Sequence, residues 1–198
     1  MLLLPQDVIE VGLDEVSRGC LYGPVVAAAV ILPHTYHSQY EDIMDSKKLS
    51  EKKREKVATF IKETAVSYGI GVATHKEIDE INILNATYLA MHRALDAINS
   101  EYDLIRVDGN RFKPYKDKKY ECVVSGDANY LSIAAASIIA KVYKDNWILE
   151  NVATNPELEK YDLAKNKGYG TAKHLEALKV YGPVEGHRMT FKPIKKDV

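Results

Sequence analysis

Four acidic residues of this chain stand where an apolar run gives way to a turn: Asp14 and Glu15 in GLDEVSRG, Asp108 in VDGN and Asp127 in SGDA. Carboxylates gathered in one place would repel one another and hold their protons more tightly, so divalent cations are the natural compensation. Oxygen-only donors favour Mg2+ or Mn2+ over Zn2+. Two such ions about 4 Å apart can activate a water and stabilise the leaving oxygen of a phosphodiester. Taken singly, each Asp also reads as a turn or capping residue, because Asp favours such places. Glu15 carries a condition: alternation along a strand points it away from Asp14, so it joins the set only if the strand ends at Asp14. Asp145 lies about 14 residues beyond the start of the last long helix, roughly 20 Å along its axis, and reads as a solvated or supporting residue. The six histidines show no H-x-E or H-x-x-x-H spacing. They read as surface or hydrogen-bonding residues, with His174 and His187 kept as candidates for phosphate contact. Cys20 and Cys122 form no C-x-x-C pair and read as free thiols of a reducing compartment.

Bringing Asp14 and Asp108 together requires two strands side by side and parallel, so that both acids leave at one sheet edge. The first strand is expected at residues 7–13, with Gly12 allowing close approach of another backbone. Residues 25–32 contain no polar side chain, as suits a strand covered on both faces. Further strands are expected at 67–74, 103–107 and 120–124. Ser50 reads as the cap of a helix over 51–66. Thr74 to Glu77 match a capping box that opens a helical turn before a longer helix at 83–98. Residues 131–149 are rich in alanine and helical, and a last helix at 172–180 ends at Gly182-Pro183. There is no internal repeat or low-complexity linker, and the mixture predicts one α/β domain with helices packed on a mixed sheet.

The 198 residues, 46% hydrophobic and 28% charged, have the balance of an ordinary globular domain. The longest apolar run, between Pro24 and Pro33, is far short of the roughly 18 to 20 residues that cross a bilayer. The opening MLLLPQDVIE lacks the basic region and cleavage site of a signal peptide. No membrane partner and a cytoplasmic location are therefore expected. A net charge of -1 removes any bulk electrostatic argument for a nucleic-acid partner. Local basic clusters at 47–56, 111–119, 165–173 and 188–196 would follow a phosphate backbone if folding gathered some of them on one face.

The run GLDEVSRGCLYGPVVAAAVIL resembles the signature of bacterial ribonuclease HII. The likeness continues through DSKKLS, VDGN, GDA, SIAAASIIAKV, KGYGT and HRMTFKPI in that order. The resemblance implies a ribonuclease H-like α/β fold: a mixed five-stranded sheet flanked by helices over about residues 1–150, with a C-terminal helical extension over about 151–198, in a single domain. It implies a metal-dependent endonuclease that hydrolyses the RNA strand of RNA-DNA hybrids, including single ribonucleotides embedded in duplex DNA. The products would be 3'-hydroxyl and 5'-phosphate ends, and the role ribonucleotide excision in DNA replication and repair. The family's metal ligands fall on Asp14, Glu15, Asp108 and Asp127, a two-ion Mg2+ or Mn2+ site. Its Gly-Arg-Gly loop and its tyrosine, which sense the 2'-hydroxyl at an RNA-DNA junction, correspond to Ser17, Arg18, Gly19 and Tyr169.

Lys47 and Lys48 would contact the backbone. On their own residues, Tyr169 reads as a packed turn aromatic, Lys47 and Lys48 as solvated lysines, and Arg18 as a partner of the acids. Three positions depart from the family. Ser17 replaces a glycine, at a cost of roughly 1 kcal/mol if the position needs a positive φ. Ser125 stands for a basic residue, and Asn166 for a histidine. The expected partners are RNA-DNA hybrid and ribonucleotide-containing duplex DNA, bound by a monomer, with a replication clamp left open. The alternatives are a ribonuclease HIII-like specificity, disfavoured because that branch carries an extra N-terminal domain, and a hybrid-binding protein that does not cut.

Overall fold

The computed structural model describes residues 8–35, 37–43 and 49–195. Five strands, β1 (Glu10–Val16), β2 (Val25–Ile31), β3 (Ser67–Ala73), β4 (Leu104–Asp108) and β5 (Lys119–Val123), form one sheet in the order β3-β2-β1-β4-β5. The β1/β2 and β2/β3 pairs are antiparallel, whereas β1/β4 and β4/β5 are parallel. The α/β architecture and the mixed five-stranded sheet agree with expectation.

Alternation along the strands decides which helix each side chain meets. Val11 and Leu13 of β1 and Val25, Ala27, Ala29 and Ile31 of β2 face α2 (His75–Asp96). Val26, Ala28 and Val30 face α1 (Glu51–Thr64) and α4 (Leu131–Thr154). With both faces covered, all of β2 is buried, which is why it tolerates no polar residue. At Gly12 an added Cβ would lie 2.2 Å from the carbonyl carbon of Ser132. The close approach expected at this glycine is therefore made by α4.

Two caps form as expected. The Ser50 hydroxyl accepts from the Lys53 amide at 3.3 Å, and Thr74 with Glu77 completes a capping box. Most boundaries shift by one or two residues, and three elements differ by more. β1 runs on to Val16 because β2 still pairs with it, Glu15 opposite Ala27 and Val16 opposite Val26. The two helical pieces expected around residue 80 abut in α2 across Asn82, which has φ 67° and ψ 163°. Its side chain accepts from the amides of Leu84 and Asn85 at 3.0 and 3.2 Å, a cap inside the element. The alanine-rich helix continues to Thr154.

Beyond it lie α5 (Leu163–Asn166) and α6 (Ala172–Tyr181), and a four-residue α3 (Gly126–Asn129) follows β5. The C-terminal elements bury Leu158, Tyr161, Leu163 and Ala177 against Ile148 of α4 and Tyr22. The β1–β2 loop is thereby tied to the C-terminal segment. Among the described residues no helix is long and apolar enough to cross a membrane.

Gly12→Ala should lower stability by about 1–3 kcal/mol, because α4 backbone must move to admit one methyl group. Urea unfolding of the two proteins measures this; equal midpoints would mean that α4 yields at no cost.

Candidate active site

Leu13 of β1 pairs with Val107 of β4 at the end of their parallel ladder, so the next residues, Asp14 and Asp108, leave at the same end of the sheet. Asp14 turns to the α4 side, where it is 6% exposed and hydrogen-bonds the side chain of Ser137. The Glu15 amide donates to its Oδ1 at 2.7 Å. Glu15 turns the other way and lines a cleft of about 440 Å3 with Arg18, Thr87 and Tyr88 of α2, Asp108 and Arg111. The condition placed on Glu15 is thus corrected: β1 does not end at Asp14, and alternation is kept. Glu15 joins from the opposite face because β4 stops at Asp108, and the open sheet end lets the two faces meet.

The electrostatics confirm that these three acids share one field. Burial is the largest force holding the Asp14 carboxyl well above its ordinary value, followed by the charges of Glu15 and Asp108. Glu15 is raised by burial and by Asp108, with Arg18 pulling the other way. The Arg18–Glu15 contact is 3.2 Å, with the arginine half exposed, and after burial Arg18 is the strongest influence on Glu15, ahead of Asp108. The Gly126 amide donates to Asp108 Oδ1 at 2.7 Å, which seats the start of α3 against the end of β4. Asp127, half-buried on α3, follows at once. Among the described residues no three His, Cys, Asp or Glu side chains stand close enough to hold an ion as they are. The donor set nonetheless fits a hard divalent cation, which would offset both the repulsion and the lost hydration of buried oxygen ligands.

The loop after β1 meets Tyr169 from the far end of the chain. Ser17 is 3% exposed and has φ 72°, so the position does demand the left-handed region in which glycine is at ease. Its side chain hydrogen-bonds the Tyr169 phenol, whose pKa is pushed up to about 12, first by burial and then by the neighbouring Cys20 thiol. Cys20 and Tyr169 form an antiparallel bridge, and the Gly168 carbonyl accepts from the Leu21 amide at 2.8 Å. Tyr169 remains 40% exposed, more open than a packed turn aromatic. Lys47 and Lys48 lie outside the described residues. Asn166 is buried and works internally: its side chain donates to the Tyr161 carbonyl and accepts from the Gly168 amide, both at 2.8 Å.

Several residues depart from what their sequence suggested. His174 and His187 are 0% and 1% exposed, which rules out phosphate contact. They hydrogen-bond each other through Nε2 at 3.1 Å, and His174 Nδ1 donates to the Tyr169 carbonyl at 3.0 Å. Burial keeps both neutral, His187 down to about 4. Asp145 is not solvated; it is 5% exposed and pairs with Lys141 at 2.7 Å and Arg54 at 3.7 Å. Two cations are buried, Lys144, which no sequence pattern singled out, and Arg188, which is thereby removed from the basic cluster at 188–196; both are 0% exposed. Lys144 donates to the Lys167 carbonyl at 3.4 Å, and burial lowers its pKa to about 8. In sequence neither differs from a surface basic residue.

Comparison with known proteins bears on the family and the fold. A family model described as Ribonuclease HII matches residues 11–194. A protein named Ribonuclease HII from Phocaeicola vulgatus is 47% identical over 199 residues, covering 99% of this chain and 96% of that protein. One of the same name from Christiangramia forsetii is 50% identical over 181 residues, covering 91% and 89%. Among solved structures, ribonuclease H2 from Pyrococcus horikoshii superposes with a TM-score of 0.74 at 27% identity, covering 93% of this chain and 94% of that one. The ribonuclease HII of the PCNA:RNase HII complex from Archaeoglobus fulgidus shares the fold, with a TM-score of 0.73 at 23% identity, covering 96% and 98%.

The raised acids predict a pH dependence. Below the ordinary carboxylate range, folded and unfolded chains both carry the Asp14 and Glu15 protons. As pH rises through the ordinary values toward the higher folded ones, the unfolded chain releases them first, so the metal-free protein loses stability. Asp14→Asn should flatten that loss and raise the melting temperature at pH 7 in EDTA. A melting curve at or below that of the parent at pH 7 would show that Asp14 carries no such penalty.

Proposed function

The chain belongs to the ribonuclease HII family and is an endoribonuclease of RNA-DNA hybrids, and on that premise we propose that it also cuts at single ribonucleotides embedded in duplex DNA, with divalent metal held by Asp14, Glu15, Asp108 and Asp127. The observation that carries this reading is the pair of parallel strand ends that bring Asp14, Glu15 and Asp108 into one field beside an open cleft, with burial and mutual charge raising Asp14 and burial raising Glu15 despite Arg18. Bound Mg2+ or Mn2+ would activate the attacking water and stabilise the leaving 3'-oxygen. The chain's own part is to present the oxygen donors. Asp14 is held by Ser137 and the Glu15 amide, Asp108 by the Gly126 amide, and Glu15 is steadied by Arg18. The expected products are a 3'-hydroxyl and a 5'-phosphate.

Substrate choice falls to the neighbouring loop. Arg18 and Gly19 are exposed, and Tyr169 offers the open part of its ring beside them. A ribose at an RNA-DNA junction differs from deoxyribose only in the 2'-hydroxyl, a group that can donate and accept. Main-chain groups of the loop and the Tyr169 phenol have the chemistry to read it. Because Tyr169 comes from beyond α4, core and C-terminal extension act in this reading as one domain.

Cleavage of a duplex carrying one ribonucleotide, with and without Mg2+ or Mn2+, tests the metal assignment. Asp14→Asn and Asp108→Asn should each reduce cutting by at least a hundredfold; if both variants keep near-parent rates, the acids do not hold the metal. Ser17→Gly removes the positive-φ strain and frees the Tyr169 phenol from its serine partner. It should raise the preference for a single-ribonucleotide junction over a uniform hybrid, and an unchanged ratio would mean that the loop tolerates serine.

A further inference from the structure

Arg188 is the largest fully buried side chain among the described residues, 0% exposed. Every group hydrogen-bonded to its guanidinium is a main-chain carbonyl: Nε donates to Gly23 at 2.9 Å, and the two terminal nitrogens donate to Arg18 and Ser17 at 2.8 Å each. Its own amide donates to the Leu21 carbonyl at 2.9 Å. Burying a cation against neutral oxygens is costly, and a neutral side chain could satisfy one carbonyl for less. What only a guanidinium offers is a rigid planar fork that holds several acceptors in fixed directions at once.

Those directions matter because a trans peptide points its carbonyl and the next amide to opposite sides. The only cis bond in the described structure is Lys192-Pro193. With the Ser17 and Arg18 carbonyls drawn inward onto Arg188, the amides of Arg18 and Gly19 face away from it, on the exposed side of the loop. Neither amide donates a hydrogen bond among the described residues. An added Cβ on Gly19 would meet nothing within 4 Å. Two adjacent outward donors on an open surface are a place for an oxygen acceptor from outside.

The segment that presents Arg188 is itself anchored. Asp79 at the start of α2 accepts from the Met189 and Thr190 amides at 2.9 Å each and from the Thr190 hydroxyl at 2.6 Å. On the other side, the neighbouring His187 holds His174, which in turn holds the Tyr169 carbonyl. One short C-terminal segment therefore fastens both the 17–19 loop and the tyrosine opposite it.

We infer that Arg188 is a positioning residue for substrate choice: its buried fork aims the Arg18 and Gly19 amides at the ribose 2'-oxygen, a role that presupposes the sugar-reading loop proposed for this chain. The test compares kcat and KM on a duplex with one ribonucleotide and on a uniform RNA-DNA hybrid. It adds binding by anisotropy in EDTA to the single-ribonucleotide duplex and to its all-DNA match. The parent protein comes first. If it does not distinguish the ribonucleotide duplex from DNA, the sugar-reading loop itself is lost, and Arg188 has nothing to aim.

With a discriminating parent, Arg188→Lys keeps the charge and loses the fork. Both the ratio of kcat/KM between the two cleavage substrates and the binding ratio in EDTA should fall at least tenfold. Ratios that stay at the parent value, whether or not overall activity drops, would make Arg188 merely structural and overturn the assignment. Should Arg188→Lys fail to fold, Asp79→Asn loosens the same anchored segment without touching the loop. It should lower both ratios at least threefold, and parent-like ratios there would equally sink the inference.

Discussion

The parallel pairing of β1 with β4 is the constraint on which the rest of the structure depends. It alone puts Asp14 and Asp108, which are distant in sequence, at one end of the sheet. A polar rivet holds its register: Arg106 of β4 donates to Glu10 of β1 at 2.5 Å and to Glu121 of β5 at 2.7 Å, with its guanidinium 4.1 Å over the Tyr130 ring. The Ser132 hydroxyl of α4 completes the set on Glu10 at 2.5 Å. A slip of one residue would turn Arg106 toward the apolar face that packs on α2 and carry the acids to the wrong sides. A buried ion pair of this kind is weak evidence for added stability but well suited to specifying register.

From that pairing follows a tension between stability and chemistry. The sheet end collects acids whose mutual repulsion and burial raise Asp14 and Glu15 above their ordinary values, with Arg18 as a half-exposed neighbour of Glu15. Such a cluster opposes folding unless a cation is bound, the usual signature of a site shaped for function. Around the corner the balance is reversed, because Lys144 and Arg188 are cations buried under the β1–β2 loop. Glu15 and Asp108 face the cleft while cations brace the loop from behind.

The C-terminal segment is part of this machinery rather than an ornament on the core. It supplies Tyr169, the neutral histidine pair that holds the Tyr169 main chain, and Arg188, and it shares an apolar cluster with Tyr22 of the loop. The serine at position 17 acquires meaning only in this company. It sits at positive φ, where a glycine is at ease, and its side chain bonds the phenol opposite. Strain in the loop and restraint of the tyrosine come from one substitution.

Patterns of local origin were legible in the residues themselves. The all-apolar β2, the Ser50 cap, the Thr74–Glu77 capping box, the close approach at Gly12 and the acids at turns follow from alternation, cap chemistry and the absence of a side chain, all of which act over a few positions. The family blocks fixed the architecture because they run in order along nearly the whole chain. What the residues could not declare is how distant elements meet. Alternation let Glu15 join the acid set only if β1 ended at Asp14, whereas in the fold β1 runs on and Glu15 lines the cleft from the other face. The residues left Asp145 open as solvated or supporting, and His174 and His187 open as hydrogen-bonding or phosphate-contacting, because burial is a property of packing and not of residue type. Arg188 looked like any surface arginine. Its role exists only where the folded chain turns three carbonyls of a remote loop toward one guanidinium, a convergence that tertiary structure alone decides.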